Sequence, residues 1–386
     1  MSRKKRIIKR ALIVFTGLVV SVIGFGYWFM SLLHPIDPAL LNMESTTPDD
    51  LSYVMENRPP YRGKILAVVT SCGAMGESKK ATGYEMSELA RAYYVFVANG
   101  FEVDVASPKG GKPPVVIDDE DMGRFDHAFL NDTVAQSKVS NTIAMQDVNP
   151  EIYEAIYFVG GKGTLFDFPQ NQYIQSIVRR YHEEGKVVGA VCHGPAALIN
   201  VKLNNGNYLL KGRPVSAFTN QEELFLIKDA RSIFPFLLQD KLIEHGADFK
   251  EGHMYLEQVV KDGNLITGQN PWSTWAVAEA MVSQLGYAPK HRNKTGEELS
   301  VEVLETFEVY GYAQAKALIN HSSNAEQAPI NRELLAVHSI LAAMQWDVVK
   351  AVKIVGLLKY VKSVGNRQQN ESSKTPGPPR ETSAEK

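Results

Sequence analysis

Only two cysteines, Cys72 and Cys192, occur in 386 residues. That scarcity excludes a disulfide framework and any cysteine-rich zinc or iron–sulfur centre. An excess of one charge is missing as well. Lys+Arg is 41 against 43 Asp+Glu, a net charge of -2, which is too little basic surplus for general nucleic-acid binding. No collagen-like glycine period is present, and the 44% hydrophobic content is too high for a wholly disordered chain. Long apolar runs are scarce. Residues 11–33 form one, 23 residues without a charge, so a multi-span membrane protein is excluded.

What is present is uneven. Residues 1–10 are a basic segment with six cations, Arg3, Lys4, Lys5, Arg6, Lys9 and Arg10. The run 11–33 reaches about 35 Å as a helix, enough to cross a bilayer core. Tyr27 and Trp28 lie near its far end, where interfacial aromatics belong. It is too long for a signal-peptide core and lacks a small-residue cleavage site, so a transmembrane anchor is expected. After it, Asp37, Glu44, Asp49, Asp50 and Glu56 precede the first cation, Arg58. The positive-inside rule then puts residue 1 in the cytoplasm and the remainder outside it, which is the periplasm if the source is a Gram-negative bacterium. Residues 34–62, with five prolines, read as a linker.

From residue 63 the pattern alternates. The run 64–70 (KILAVVT) reads as a buried parallel strand and 102–106 as a second. Thr82 and Glu85 fit a capping box ahead of a helix stopped by Gly100. Further strands are expected at 155–159, 187–191, 215–219 and 265–267, with helices at 173–182, 195–201, 222–229, 237–245 and 273–285. Residues 108–150 interrupt the rhythm and read as an inserted lid. Strand–helix alternation predicts a mostly parallel sheet covered on both faces, with ligands at the carboxyl ends of the strands.

The sharpest local signal is Gly189-Ala190-Val191-Cys192-His193-Gly194-Pro195. A small residue on either side of Cys192, one position removed, is the form of a nucleophile elbow, where a strained turn tolerates no bulk. Pro195 suits the first position of a helix, and a helix start beside the sulfur favours thiolate. The competing reading is an inert core cysteine. Gly160-Gly161-Lys162-Gly163 follows a strand without the G-x-G-x-x-G spacing of a dinucleotide site. Its N–H groups, with that of His193, are candidates to hold an oxyanion. His193 is a candidate base, and Glu223 a candidate to orient it, against the plainer reading of a first-turn glutamate. Glu88, if it points at the sulfur, must be protonated, because a charged carboxylate there would raise the thiol pKa.

The segments AVCHGPAAL, GGKGTLFDFPQN, ASPKGGKPP, SAFTNQEE and TGQNP together resemble the ThiJ/PfpI superfamily, within its heat-shock chaperone and glyoxalase III branch. The resemblance spans about residues 63–288. It implies a class I glutamine amidotransferase-like, flavodoxin-like three-layer α/β sandwich. It further implies Cys192 as nucleophile, His193 as base, Glu223 as orienting acid and Glu88 as thiol-contacting acid. Gly160, Gly161, Lys162 and His193 would line the oxyanion and substrate site. Lys162 stands where the family often has His. No His-x-Glu triplet follows Cys192, which speaks against glutaminase chemistry.

The catalytic domain is therefore placed at 63–290. Residues 291–365 form a helical extension, with helices at 297–319 and 332–364, and 366–386 a disordered tail. The two helices are expected as a hairpin packed on the catalytic domain; the rival reading takes the lysines on the second helix as suited to an anionic membrane or a second subunit in a homodimer. The function expected from the resemblance is a membrane-anchored glyoxalase III-like lyase or protein deglycase. It would need no cofactor or metal and would act on methylglyoxal-type dicarbonyls or glycated protein. The rivals are a stress-related holdase with a vestigial site and a cysteine peptidase or amidase. Cys72 is weighed as a pocket-wall residue or as a disulfide partner that would silence Cys192.

Overall fold

A computed structural model describes residues 3–34, 43–118, 122–324 and 328–372. The chain divides into two compact units, one within residues 43–292 and one joining the N-terminal helix to residues 293–372. That helix, α1 (Arg3–Leu33), includes part of the basic segment and all of the apolar run. Its stretch Leu12–Leu33 has a mean hydropathy of 2.0 and is long and apolar enough to cross a membrane.

The α/β unit is built on seven strands: β1 (Lys64–Val68), β2 (Glu102–Ser107), β3 (Ile143–Ala144), β4 (Tyr153–Phe158), β5 (Val187–Val191), β6 (Val259–Asp262) and β7 (Leu265–Gly268). Their order is β6-β7-β5-β4-β1-β2-β3, parallel throughout except for the β6–β7 hairpin. Period-two alternation sends Ile65 and Ala67 to one face and Leu66 and Val68 to the other. The first face is covered by α2 (Met86–Ala98) and, later in the chain, α5 (Thr274–Gln284); the second by α3 (Gln172–Glu184). Gly189 of β5 is the point of closest approach between layers, since a Cβ there would lie 2.2 Å from Met281 Sδ. The helix α4 (Asn220–Leu226) stands beyond the carboxyl end of β5 and carries Glu223.

Several expectations need correction. Residues 108–150 are no detached lid. Helices Arg124–Asn131 and Thr133–Ser140 bury Ala128, Phe129 and Ala135 in the core, and β3 extends the sheet; residues 119–121 of this span lie outside the described residues. Of the linker, 35–42 lie outside the described residues. Residues 43–62 fold onto the α/β unit and bury Leu51 and Val54, because these and the partly buried Tyr53 pack into the same core cluster as α2. The strand expected at 215–219 shrinks to Pro214–Val215, paired with Asp248–Phe249 apart from the main sheet. The helix expected after Cys192 is one 3-10 turn, Gly194–Leu198. Glu85 caps nothing with its side chain. It ends a short strand that pairs with Val115–Val116, and α2 starts one residue later.

The helical unit continues with α6 (Gly296–Tyr310), α7 (Tyr312–Asn324), α8 (Arg332–Met344) and α9 (Val348–Ser372). Each of the two helices expected here is split. Gly311 at φ +89° divides the first, and Trp346 at φ +64° turns the chain between α8 and α9. Residues 366–372, placed in the tail, continue α9, while 373–386 lie outside the described residues. At one end of this unit Arg332 donates to the Leu32 carbonyl at 3.0 Å, and Lys362 donates to that of Ser31.

Candidate active site

The segment that follows β4 and the last residue of β7 meet Cys192 at the carboxyl end of β5. The all-buried β5 delivers Cys192 into the left-handed region at φ +58°. A non-glycine residue there costs about 1–2 kcal/mol and persists only where its surroundings fix it. The fixing bonds are Cys192 N–H to the Gly268 carbonyl and Phe218 N–H to the Cys192 carbonyl, both 2.9 Å. Two glycines supply room. A Cβ at Gly194 would sit 2.3 Å from the Phe158 carbonyl oxygen, and one at Gly160 would sit 2.8 Å from Cys192 Cβ and 2.5 Å from Glu88 Oε2.

The structure brings Cys192, His193, Glu223 and Glu88 together. Cys192 Sγ lies 3.3 Å from His193 Nδ1, and His193 Nε2 lies 2.5 Å from Glu223 Oε2. A carboxylate at Nε2 holds the ring proton there and leaves the Nδ1 lone pair aimed at the thiol. The Phe218 ring packs against the imidazole at 4.6 Å between centroids. All four polar residues are nearly sealed, with exposures of 3% for Cys192, 1% for His193, 2% for Glu223 and 0% for Glu88.

Glu88 accepts from the Gly160 N–H at 2.7 Å through Oε2, and Oε1 is buried without a hydrogen-bond partner. Burial, then the charge of Glu85, pushes its carboxyl well above the usual carboxylate range. Its protonated, neutral form is therefore favoured, in contact with the thiol. Burial also pushes the Cys192 thiol up, and carboxyl charge would push it further; the Lys162 ammonium pulls the other way. The sequence-based expectation of a sulfur held ionised by a helix start is thus corrected. A five-residue 3-10 turn has little dipole, and burial outweighs it. The resting group is a thiol, with the His193 imidazole 3.3 Å away.

The glycine loop is locked against the same strands. Gly161 has φ +106°, and a Cβ on it would lie 2.3 Å from the Gly83 carbonyl oxygen. The Thr164 hydroxyl lies 2.9 Å from the Gly161 carbonyl and 3.0 Å from that of His193, which sets both peptide planes. Among the described residues no carbonyl accepts from the Gly161 or His193 N–H. Lys162 emerges between them, half-buried, with no carboxylate at ion-pair distance among the described residues.

Sequence reasoning missed three participants. Glu85 is a carboxyl whose pKa burial raises, under the fields of Lys162, His193 and Asp118; its capping-box spacing pointed elsewhere. Glu222 is fully buried and hydrogen-bonded to Tyr255, Gln269 and Asn270. Tyr255, at φ +55°, stands 6.2 Å from the Phe218 ring and is not marked by any motif. Both cysteines are free; Cys72 is half-buried, with its thiol on the Ala74 carbonyl at 3.2 Å. A cavity of about 450 Å³ bounded by Pro169, Ile199, Tyr208 and Phe236 shares no residue with this cluster.

A mostly parallel α/β sandwich whose inner strand β5 leads into a cysteine at a strained elbow, facing imidazole and carboxyl groups, marks a cysteine-elbow α/β protein. The chain belongs to the DJ-1/PfpI family, whose sequence profile matches residues 80–220. It is similar to Glyoxalase 3 of Candida albicans, 30% identical over 237 residues that cover 57% of this chain and 97% of the relative. It is also similar to glutathione-independent glyoxalase hsp3102 of Schizosaccharomyces pombe, 29% identical, covering 58% of this chain and 98% of that one. Among solved structures, Rapid Encystment Protein 24 kDa of Francisella tularensis is 37% identical, with a TM-score of 0.55, covering 58% of this chain and 99% of its own.

Proposed function

We propose that the α/β unit is a glutathione-independent glyoxalase in which Cys192 is the nucleophile, tethered to a membrane by α1. The observation that carries the reading is the contact between a thiol and a base whose far nitrogen is held by a carboxylate, 3.3 Å and 2.5 Å in sequence. Relatives named as glyoxalases, aligned over nearly their full length, support the substrate class.

The chemistry follows from these groups. His193 takes the thiol proton as Cys192 adds to the aldehyde carbon of methylglyoxal, giving a hemithioacetal. The N–H groups of Gly161 and His193 receive the oxyanion. His193 passes that proton to the oxyanion and then removes the hydrogen from the former aldehyde carbon, while Glu88 protonates the former ketone oxygen; His193 returns the hydrogen to the former ketone carbon as the hydroxyl on the former aldehyde carbon gives its proton back to Glu88. The product is a 2-hydroxyacyl thioester, which water hydrolyses to lactate and free thiol. The substrate is its own oxidant and reductant, so no redox partner enters the balance. A hemithioacetal or aminal on a glycated protein presents the same carbons, which brings deglycation within the same scheme. Charge asymmetry around α1 supports an anchor with residue 1 cytoplasmic and the α/β unit outside.

The test is full-length protein in detergent with methylglyoxal and no glutathione. Lactate formation is expected to drop by about a thousandfold in Cys192→Ala; lactate production that survives the substitution refutes the mechanism. A second reading has one observation in its favour. Met344, Trp346, Val348, Val349 and Val352 are 61–90% exposed around the α8–α9 turn, an apolar tip suited to a holdase. Suppression of client aggregation that is indifferent to Cys192→Ala, with no lactate from wild type, selects it.

A further inference from the structure

Glu223 has a neighbour with more bonds than a helix cap requires. In a capping box the third helical residue reaches back to the cap N–H, usually at the surface. Glu222 does this with Oε2, which accepts from Thr219 N–H and Thr219 Oγ1–H, both at 3.0 Å. The box is buried, with Glu222 at 0% exposure. Its other oxygen, Oε1, gathers donors from two distant segments: Tyr255 N–H at 2.8 Å, Asn270 Nδ2 at 2.9 Å and Gln269 Nε2 at 3.1 Å. Five donors on two oxygens exceed the roughly four lone-pair sites of a carboxylate, so neither oxygen has acceptor capacity to spare.

The three segments joined here are the ones that bound the site. The first turn of α4 carries Glu223. The loop after β7 follows Gly268, whose carbonyl accepts from Cys192 N–H at 2.9 Å. The segment before β6 carries Tyr255, which is held at φ +55° and returns its hydroxyl to the Glu222 carbonyl at 2.9 Å. Tyr255 packs on Phe218, and Phe218 on His193. One carboxylate therefore fixes where the orienting acid, the elbow and the aromatic wall stand relative to one another.

We propose that Glu222 is a positioning residue that keeps Glu223 and the Tyr255–Phe218 wall in register with Cys192 and His193. The proposal rests on the reading of these residues as a working thiol–imidazole–carboxylate site. Glu222→Gln preserves volume but replaces one acceptor by an amide donor, which must face either the Thr219 donors or those of Tyr255, Gln269 and Asn270. Displacement of the acid by a fraction of an ångström is enough to cost about 10- to 100-fold in rate.

Full-length wild type, Glu222→Gln, Tyr255→Phe and, as benchmark, Glu223→Gln are compared in detergent by two measurements. The first is methylglyoxal turnover. In Glu222→Gln kcat is expected to fall about 10- to 100-fold, with KM within about 2-fold of wild type. The second is the rate of iodoacetamide labelling of Cys192 against pH, which reads the thiol–imidazole contact without using the substrate. Its midpoint is expected to move up in Glu222→Gln, in the direction of Glu223→Gln. A folded Glu222→Gln with wild-type kcat, or with the wild-type labelling profile, overturns the proposal. Should Glu222→Gln not fold, Tyr255→Phe decides: labelling at neutral pH slows by about 3- to 10-fold, or the proposal fails. If wild type produces no lactate, the glyoxalase reading falls and the labelling profiles alone judge the positioning.

Discussion

Glu88→Gln isolates the charge state on which the thiol chemistry depends. Glu88 is completely buried, and its carboxyl is raised well above 4.5 by burial and the field of Glu85. Were it ionised, a unit charge about 4 Å from the sulfur at an effective dielectric near 20 would amount to about 4 kcal/mol, or roughly 3 pH units on the thiol. As a neutral acid it contributes none of this. Glutamine removes no charge from a neutral acid and keeps an oxygen to accept from the Gly160 N–H, now 2.7 Å from Oε2. The pH midpoint of iodoacetamide labelling at Cys192, followed by mass spectrometry, should therefore move by no more than about half a unit. Lactate formation should fall because the amide cannot deliver a proton. Stability provides a second reading. A folded-state pKa above the unfolded value of 4.5 means the native chain binds the proton more tightly. Wild-type stability then falls as pH rises from that value, and the advantage of Glu88→Gln grows with pH. A labelling midpoint that drops by about 2 units or more, or equal pH dependence of stability in the two proteins, refutes the neutral acid.

Two further outcomes are expected. Gly161→Ala places a Cβ 2.3 Å from the Gly83 carbonyl oxygen at φ +106°, so the loop must shift; turnover should fall about 100-fold while iodoacetamide labelling of Cys192 stays near wild type, since the thiol–imidazole pair is untouched. Asp167 is raised from 3.8 to about 6, chiefly by burial and against hydrogen bonds from Thr70 and Ser71. Its proton is favoured in the native state, so it reduces stability by up to about 3 kcal/mol as pH rises from 3.8 to 6. Urea unfolding of Asp167→Asn should show a flatter stability curve across that window.

The parallel core strands were legible because each is a short apolar run between turn signals, and the elbow because small residues flank Cys192 where bulk would collide. Burial of the thiol was not legible: the sequence shows a helix start after Cys192, whereas the effective dielectric is set by α2 and the glycine loop, which lie about a hundred and about thirty residues earlier in the chain. Glu85 was misread for a related reason. Thr82-x-x-Glu85 has capping-box spacing, but pairing with Val115–Val116 claims the backbone first. Tyr255 lies in an irregular segment whose conformation depends on a carboxylate 33 positions away, so neither periodicity nor motif could mark it. The edge strand Val259–Asp262 is half-exposed and short, and only its hairpin partner makes it a strand.

The helical unit is assembled from opposite ends of the chain. Leu32, which accepts from Arg332, is translated 300 residues ahead of its partner. At roughly 5–20 residues per second the ribosome needs about 15–60 s to cover that interval. For most of it α1 is already outside the exit tunnel while Arg332 and Lys362 do not yet exist, and the whole α/β unit has time to fold in between. Even when complete, the helical unit leaves Leu12, Phe15, Ile23 and Phe25 more than half exposed, so the apolar run needs shelter beyond its own bundle, and what the later helices capture is its carboxyl end at Ser31 and Leu32.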